Sequence, residues 1–160
     1  MDEAGFCLNA KLSRVWAQAG TKPTVKTNYS SGRIGVFGSL DSLGGFKYRF
    51  AKKQDSQAFI GFLEQLLEEY HEIFLILDNA SIHKSKKVRQ FVEEKSSRLE
   101  LFYLPPYCPE MNAVEECWRQ VRHNLTDNKL FLDIEGLKAN LSEFFGEHKF
   151  THNLFSYLCR

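Results

Sequence analysis

The sequence predicts an α/β protein, a mixed five-stranded sheet with helices on both faces. Three observations carry this. The run IFLIL at residues 73 to 77 is apolar on both strand faces and too short for a helix, the mark of a strand covered on both sides. Ala58, Phe59, Phe62, Leu63, Leu66, Leu67 and Tyr70 recur at helical spacing. β-formers dominate up to about residue 51, after which helical and strand patterns alternate as α-β-α-β-α.

Taken in order, strands are expected over residues 3 to 8 and 14 to 16. QAGTKPTVKTNYSSGR, residues 18 to 33, is dense in turn formers and reads as a loop with a short strand over 24 to 27. RIGVFGSLD and GGFKYRFA form an antiparallel pair across a turn at 42 to 45. A helix follows over 55 to 70, capped by Asp55 or Ser56. Beyond IFLIL, a helix from about 85 to 94 turns Val88, Phe91 and Val92 inward and leads to a strand at 99 to 103. These two strands should run parallel through a right-handed crossover. Pro105-Pro106 breaks the chain before a helix over about 113 to 123, with Val114, Cys117, Trp118 and Val121 on its apolar face. Residues 133 to 147 make another amphipathic helix, and 150 to 158 a last short one. Trp118, Tyr107 and the many phenylalanines read as core.

At 160 residues the chain fits one domain, and 43% hydrophobic with 26% charged residues excludes a disordered chain. No apolar run reaches the roughly 20 residues of a membrane span, so no membrane partner is expected. MDEAGFCLNAKL lacks the features of a signal peptide. The four cysteines, Cys7, Cys108, Cys117 and Cys159, have no paired CxxC spacing for zinc. They read as reduced thiols, three of them packed, in a cytoplasmic protein. Twenty-one basic against twenty acidic residues leave a net charge of +1. That balance argues against a dedicated duplex-gripping module and is compatible with an acidic core inside a basic rim.

Three acids stand out by position. Asp78 closes the buried strand at its carboxyl end, where open α/β sheets bind ligands, although Asp78-Asn79 is also ordinary turn chemistry. Glu115 lies about 100° round the helix from Val114. Alone, it would equally form a surface pair with Arg119, worth about 0.3–0.5 kcal/mol. Asp2 is uninformative by itself, and Glu3 and Glu116, next to the other acids, could exchange roles with them. Together, three carboxylates delivered by separate elements to one end of a sheet form an oxygen-ligand set suited to Mg²⁺ or Mn²⁺. Two such ions about 3.5–4 Å apart serve phosphoryl transfer.

DEAGF, LDNASIH and LPPYCPEMNAVEECW resemble the three motif blocks of Tc/mariner-superfamily DDE transposases, particularly the bacterial insertion-sequence branch. There a DE-x-x-F segment, a DNA-x-x-H segment and PPYSPELNPIE-x-x-W carry the acids. VWAQAG also looks like the family, and the likeness covers residues 2 to about 125. Cys108 and Ala113 replace the usual serine and proline. The resemblance implies an RNase H-like fold, with Asp2, Asp78 and Glu115 as catalytic metal ligands for a two-metal Mg²⁺ or Mn²⁺ site. Thirty-six residues separate Asp78 from Glu115, close to the family's spacing. It also implies strand cleavage at the ends of a DNA element, then attack of the freed 3′-hydroxyl on target DNA. Asn79 and His83 match the middle block and are expected to support the ligands, His83 by orienting a water; without that match His83 would equally read as a histidine hydrogen-bonded at a helix start. Lys84, Lys86, Lys87 and Arg89 beside Asp78, with Arg119 and Arg122 after Glu115, are candidate phosphate contacts.

By the same likeness the expected partners are DNA ends and target DNA, with a homodimer on DNA, and the expected location is cytoplasmic and nucleoid-associated. In the family several apolar residues precede the first acid, whereas only Met1 precedes Asp2. The chain therefore reads as one RNase H-like catalytic domain over 1 to 160 with its first strand truncated. The helix-turn-helix DNA-binding region is expected on a separate N-terminal chain or region. Two other readings remain open at this point: an RNase H-like nuclease or integrase core, and a non-catalytic fragment of a decayed transposase.

Overall fold

The computed structural model describes residues 1–27, 31–106 and 108–150. Five strands and four α-helices follow one another: β1 (Asp2–Cys7), β2 (Arg33–Leu40), β3 (Phe46–Ala51), α1 (Ser56–Glu69), β4 (Ile73–Leu77), α2 (Lys86–Glu94), β5 (Leu99–Tyr103), α3 (Ala113–Val121) and α4 (Ile134–Glu147). Side-chain oxygens cap the helices: Asp55 caps α1 as expected, and Ser85 caps α2, Asn112 caps α3 and Asp133 caps α4. Arg122–Thr126 extends α3 as a π-helical turn, so the expected helix to 123 changes its winding after Val121.

The expected single five-stranded sheet is divided. β1, β2 and β3 form an antiparallel sheet, and β4 and β5 form a separate parallel pair. The join between them is the Met1 amino group, which donates to the Ile76 carbonyl at 2.8 Å. That single bond is made by the residue before β1, and one backbone bond is too little for a ladder. Helices do cover both faces of the three-stranded sheet. Ala4, Phe6 and Val36 pack on Val114, Trp118, Leu137 and Leu141 of α3 and α4. Met1 and Phe37 pack on Phe59, Phe62 and Leu63 of α1, in a second core that includes Leu75, Leu77, Val88 and Leu99. The alternation of strand side chains sends neighbouring residues into different cores.

Four expectations are corrected. IFLIL is covered on one side only among the described residues: Ile73, Leu75 and Leu77 are buried, but Phe74 is 62% exposed. Residues 14 to 16 and 24 to 27 form no strand, and the nearest pairing is an isolated bridge from Lys11 to Asp127. β propensity at Val15 and Trp16 had no neighbouring strand to satisfy, and both side chains are exposed. Of the described cysteines, only Cys117 is buried, while Cys108 is half-buried and Cys7 exposed. Tyr107, Cys159 and the expected helix beyond Phe150 lie outside the described residues.

Candidate active site

Asp2 opens β1 and is buried, facing α3. Opposite it in the ladder stands Gly38 of β2. A Cβ at Gly38 would lie 2.5 Å from the Trp118 ring, so the missing side chain admits the indole. Trp118 Nε1 then donates to Asp2 Oδ2 at 3.1 Å, wholly within the interior. The Trp118 ring is otherwise packed edge-on against Phe6 and Phe46. Burial pushes the Asp2 carboxyl up to about 7, helped by the negative charges of Glu115 and Glu3.

Asp78 follows β4 directly. Its Oδ1 accepts from the Ala80 amide at 3.0 Å, the local turn bond that the sequence allowed for. Glu115 sits exposed in the first turn of α3. The start of that helix is tied to the start of β1, because buried Asn112 donates to the Met1 carbonyl at 3.4 Å while capping Val114 at 3.2 Å. Asp78 and Glu115 line one cavity of about 410 Å³ with Asn79, Pro105, Pro106 and Cys108. Asp2 lies near enough to Glu115 for their charges to interact. Glu115, at the start of α3, thus shares a cavity with Asp78 at the end of β4 and acts electrostatically on Asp2 at the head of β1.

Their neighbours separate. Glu116 does not share the position of Glu115: Arg119 donates to Glu116 through Nε at 2.6 Å, and Gln120 through Nε2 at 3.2 Å. Arg119 pairs with Glu116, three residues before it; a pair with Glu115 is the alternative reading of that acid. Glu3 leaves β1 on the face opposite Asp2 and meets His83, Nε2 to Oε1 at 2.6 Å. The other ring nitrogen, Nδ1, hydrogen-bonds the Asp78 main-chain carbonyl at 3.4 Å and lies 3.2 Å from Asp78 Oδ1. Glu3, Asp78 and His83 have ligand atoms within 4.8 Å of one another, a spacing that metal sites share. Both nitrogens of His83 already face carboxylates, and the ring is 0% exposed with Phe59 at 4.5 Å. The group is thus an internal clamp. Burial works against a charged His83, but the hydrogen bond and charge of Glu3, with Asp78, outweigh it and raise the imidazole above its ordinary value.

The His83 ring is fully buried and bonded to Glu3 and Asp78, which matches the alternative reading of a histidine hydrogen-bonded at a helix start. Asn79 donates through Nδ2 to the Leu104 carbonyl and accepts from Lys84, stapling the ends of β4 and β5. Lys84 also lies over the Tyr103 ring at 5.0 Å. Lys86, Lys87 and Arg89 are exposed on α2. Arg119, Arg122, Lys11 and His123 line a second cavity of about 620 Å³ that shares Glu115. Sequence reasoning missed Glu3, Asn112 and Gly38, and it assigned Trp118 to packing alone. Only Glu3, named as interchangeable with Asp2, carried a signal.

The core is mixed α/β, with carboxylates at a strand's carboxyl end and on a following helix. The chain belongs to the DDE superfamily endonucleases, whose family pattern matches residues 1–138. It is 30% identical over 131 residues to the "Insertion element IS630 uncharacterized 39 kDa protein" of Shigella sonnei, across 79% of this chain and 38% of that one. The fold is similar to the Mos1 mariner paired end complex with Mn, with a TM-score of 0.72 at 19% identity over 98% of this chain and 49% of that one. It is similar also to the Mos1 strand transfer complex, with a TM-score of 0.70 at 16% identity and the same coverage. The chain thus spans half or less of the length of these relatives. No helix among the described residues is long and apolar enough to cross a membrane.

Proposed function

We propose that this chain is the catalytic core of a DDE transposase, cutting DNA at the ends of a mobile element and joining the freed 3′-hydroxyl to target DNA. The observation that carries this reading is the gathering of Asp2, Asp78 and Glu115 from three distant parts of the chain, with the Asp2 carboxyl held up near 7 by burial and its acidic neighbours. Such a cluster is short of positive charge. Its donors are all carboxylate oxygens, which fits Mg²⁺ or Mn²⁺ and not a thiophilic metal. In this reading Asp2, Asp78 and Glu115 hold the ions. Two divalent ions so held would activate the attacking oxygen and stabilise the leaving one.

The protein's own part is placement. Asn112 ties the α3 start to β1, setting Glu115 relative to Asp2. Asn79 fixes the loop beyond Asp78. Lys84, Lys86, Lys87, Arg119 and Arg122 are assigned to the DNA backbone around the acids. The bond from Met1 to Ile76 is taken as the first rung of a β1–β4 ladder that would complete one five-stranded sheet. End recognition is assigned to a helix-turn-helix region outside this sequence, and the working unit to a homodimer on DNA in the cytoplasm, at the nucleoid.

The test is joining of a duplex with a free 3′-hydroxyl, drawn from DNA flanking the coding sequence, to a supercoiled plasmid in Mn²⁺. Asp78→Asn and Glu115→Gln are each expected to lower joining on the order of a thousandfold or more. Nicking without joining would leave a nuclease core, and no acid-dependent product of either kind would overturn the proposal. Replacing Lys86 and Lys87 by alanine is expected to weaken DNA binding and flatten its salt dependence by roughly 0.9 in log–log slope per lost phosphate contact. An unchanged slope removes these two lysines from the DNA surface.

A further inference from the structure

The two strand acids are each gripped at one carboxylate oxygen, from opposite faces of the first sheet. Asp2 Oδ2 takes the Trp118 indole N–H at 3.1 Å in the buried layer between β1 and α3. Asp78 Oδ1 takes the Ala80 amide at 3.0 Å and lies 3.2 Å from His83 Nδ1. Among the described residues Asp78 Oδ2 accepts no hydrogen bond, and its side chain is half-exposed beside the cavity shared with Glu115. His83 is held in turn. Glu3 Oε1 sits 2.6 Å from its second nitrogen, Phe59 lies against its ring, and the side chain has no exposure through which to rotate. Successive side chains of a strand point to opposite faces, so the adjacent pair Asp2-Glu3 can send one carboxylate to Trp118 and the other to His83.

We propose that Trp118 and Glu3 are positioning residues: Trp118 sets the carboxylate of Asp2, and Glu3, acting through His83, sets that of Asp78. Both acids are thereby oriented before any cation arrives, and Glu3 is not itself a ligand. This rests on the reading of Asp2 and Asp78 as metal-holding residues. It explains why a tryptophan stands three residues after Glu115 on α3 and why a second acid follows Asp2. Fixing a ligand from behind typically changes metal affinity 10–100-fold.

The readout is Mn²⁺ binding to the full chain, followed by the electron paramagnetic resonance of free Mn²⁺, with thermal melts establishing that each variant is folded. Trp118→Phe retains a ring against Phe6 and Phe46 and loses the donor; Glu3→Ala removes the His83 partner, and Glu3→Gln keeps an acceptor oxygen. Trp118→Phe and Glu3→Ala are each expected to weaken binding on the order of tenfold, and Glu3→Gln to bind like the unsubstituted chain. If Trp118→Phe does not fold, benzothienylalanine at position 118 keeps the bicyclic shape without the N–H. Unchanged binding in the donor-less and Glu3→Ala chains would overturn the positioning roles. Glu3→Gln as damaging as Glu3→Ala would make Glu3 a direct ligand. Failure of the unsubstituted chain to bind, or an Asp78→Asn chain that binds as well as it, would instead overturn the underlying metal assignment.

Discussion

Asp2→Asn is expected to abolish metal-dependent joining and, at the same time, to raise the melting temperature of the metal-free chain at pH 8. The carboxyl is buried and pushed up to about 7 from its ordinary 3.8. An acid whose native value is raised binds more protons folded than unfolded between about pH 4 and 7, so stability falls as pH rises across that window. A shift of about three units corresponds to about 4 kcal/mol at most, and 2–4 kcal/mol moves the midpoint of a chain this size by roughly 5–15 °C. Asparagine keeps the size and an oxygen for the Trp118 N–H while carrying no charge. The measurement is therefore the difference between the two proteins in EDTA at pH 5 and at pH 8. A lower midpoint for Asp2→Asn at pH 8 would mean that the carboxylate is not held against its charge.

His83→Ala is expected to lower stability by about 3–5 kcal/mol, the usual cost of breaking a buried ion pair, and to lower joining with it. The fully buried ring stands between Glu3 and Asp78 and against Phe59, so its loss strands a partly buried carboxylate and opens a cavity. The sequence reading of a water-orienting His83 does not foresee this cost, which follows from the burial of its ring. The stabilisation is also pH-dependent. Because the folded imidazole is raised, its contribution is complete below the ordinary value of about 6.5 and is lost as pH rises through the folded one. Urea unfolding at pH 6 and pH 9 measures both effects, and a loss under about 0.5 kcal/mol at pH 6 would show that the clamp contributes nothing to stability.

Much of the architecture was legible because local chemistry and global fold agree. Asp55, Ser85 and Asp133 sit one residue before helices whose apolar faces the sequence also displays. The parallel strands at 73–77 and 99–103 follow from short apolar runs either side of a helix. What misled was propensity without a partner. Val15 and Trp16 favour strands, but no strand lies beside them, and Phe74 belongs to an apolar run with one face open. The three acids were legible through their motif blocks. Their grips were not, since Trp118 is 116 residues from Asp2, and His83 is 80 from Glu3.

By itself, the sequence determined which carboxylates are candidates and which elements carry them, because strand ends, caps and helical periodicity are local properties of the chain. The tertiary structure decided what each carboxylate faces. Only folding put Gly38 opposite Asp2 to admit an indole, sent Glu3 to the other face to meet a buried histidine, and gave Glu116 to Arg119 while leaving Glu115 at the cavity. The reason is that burial and charge proximity depend on distances between segments remote in sequence. Those distances, more than residue type, separate the carboxyl at the head of β1 from an ordinary aspartate.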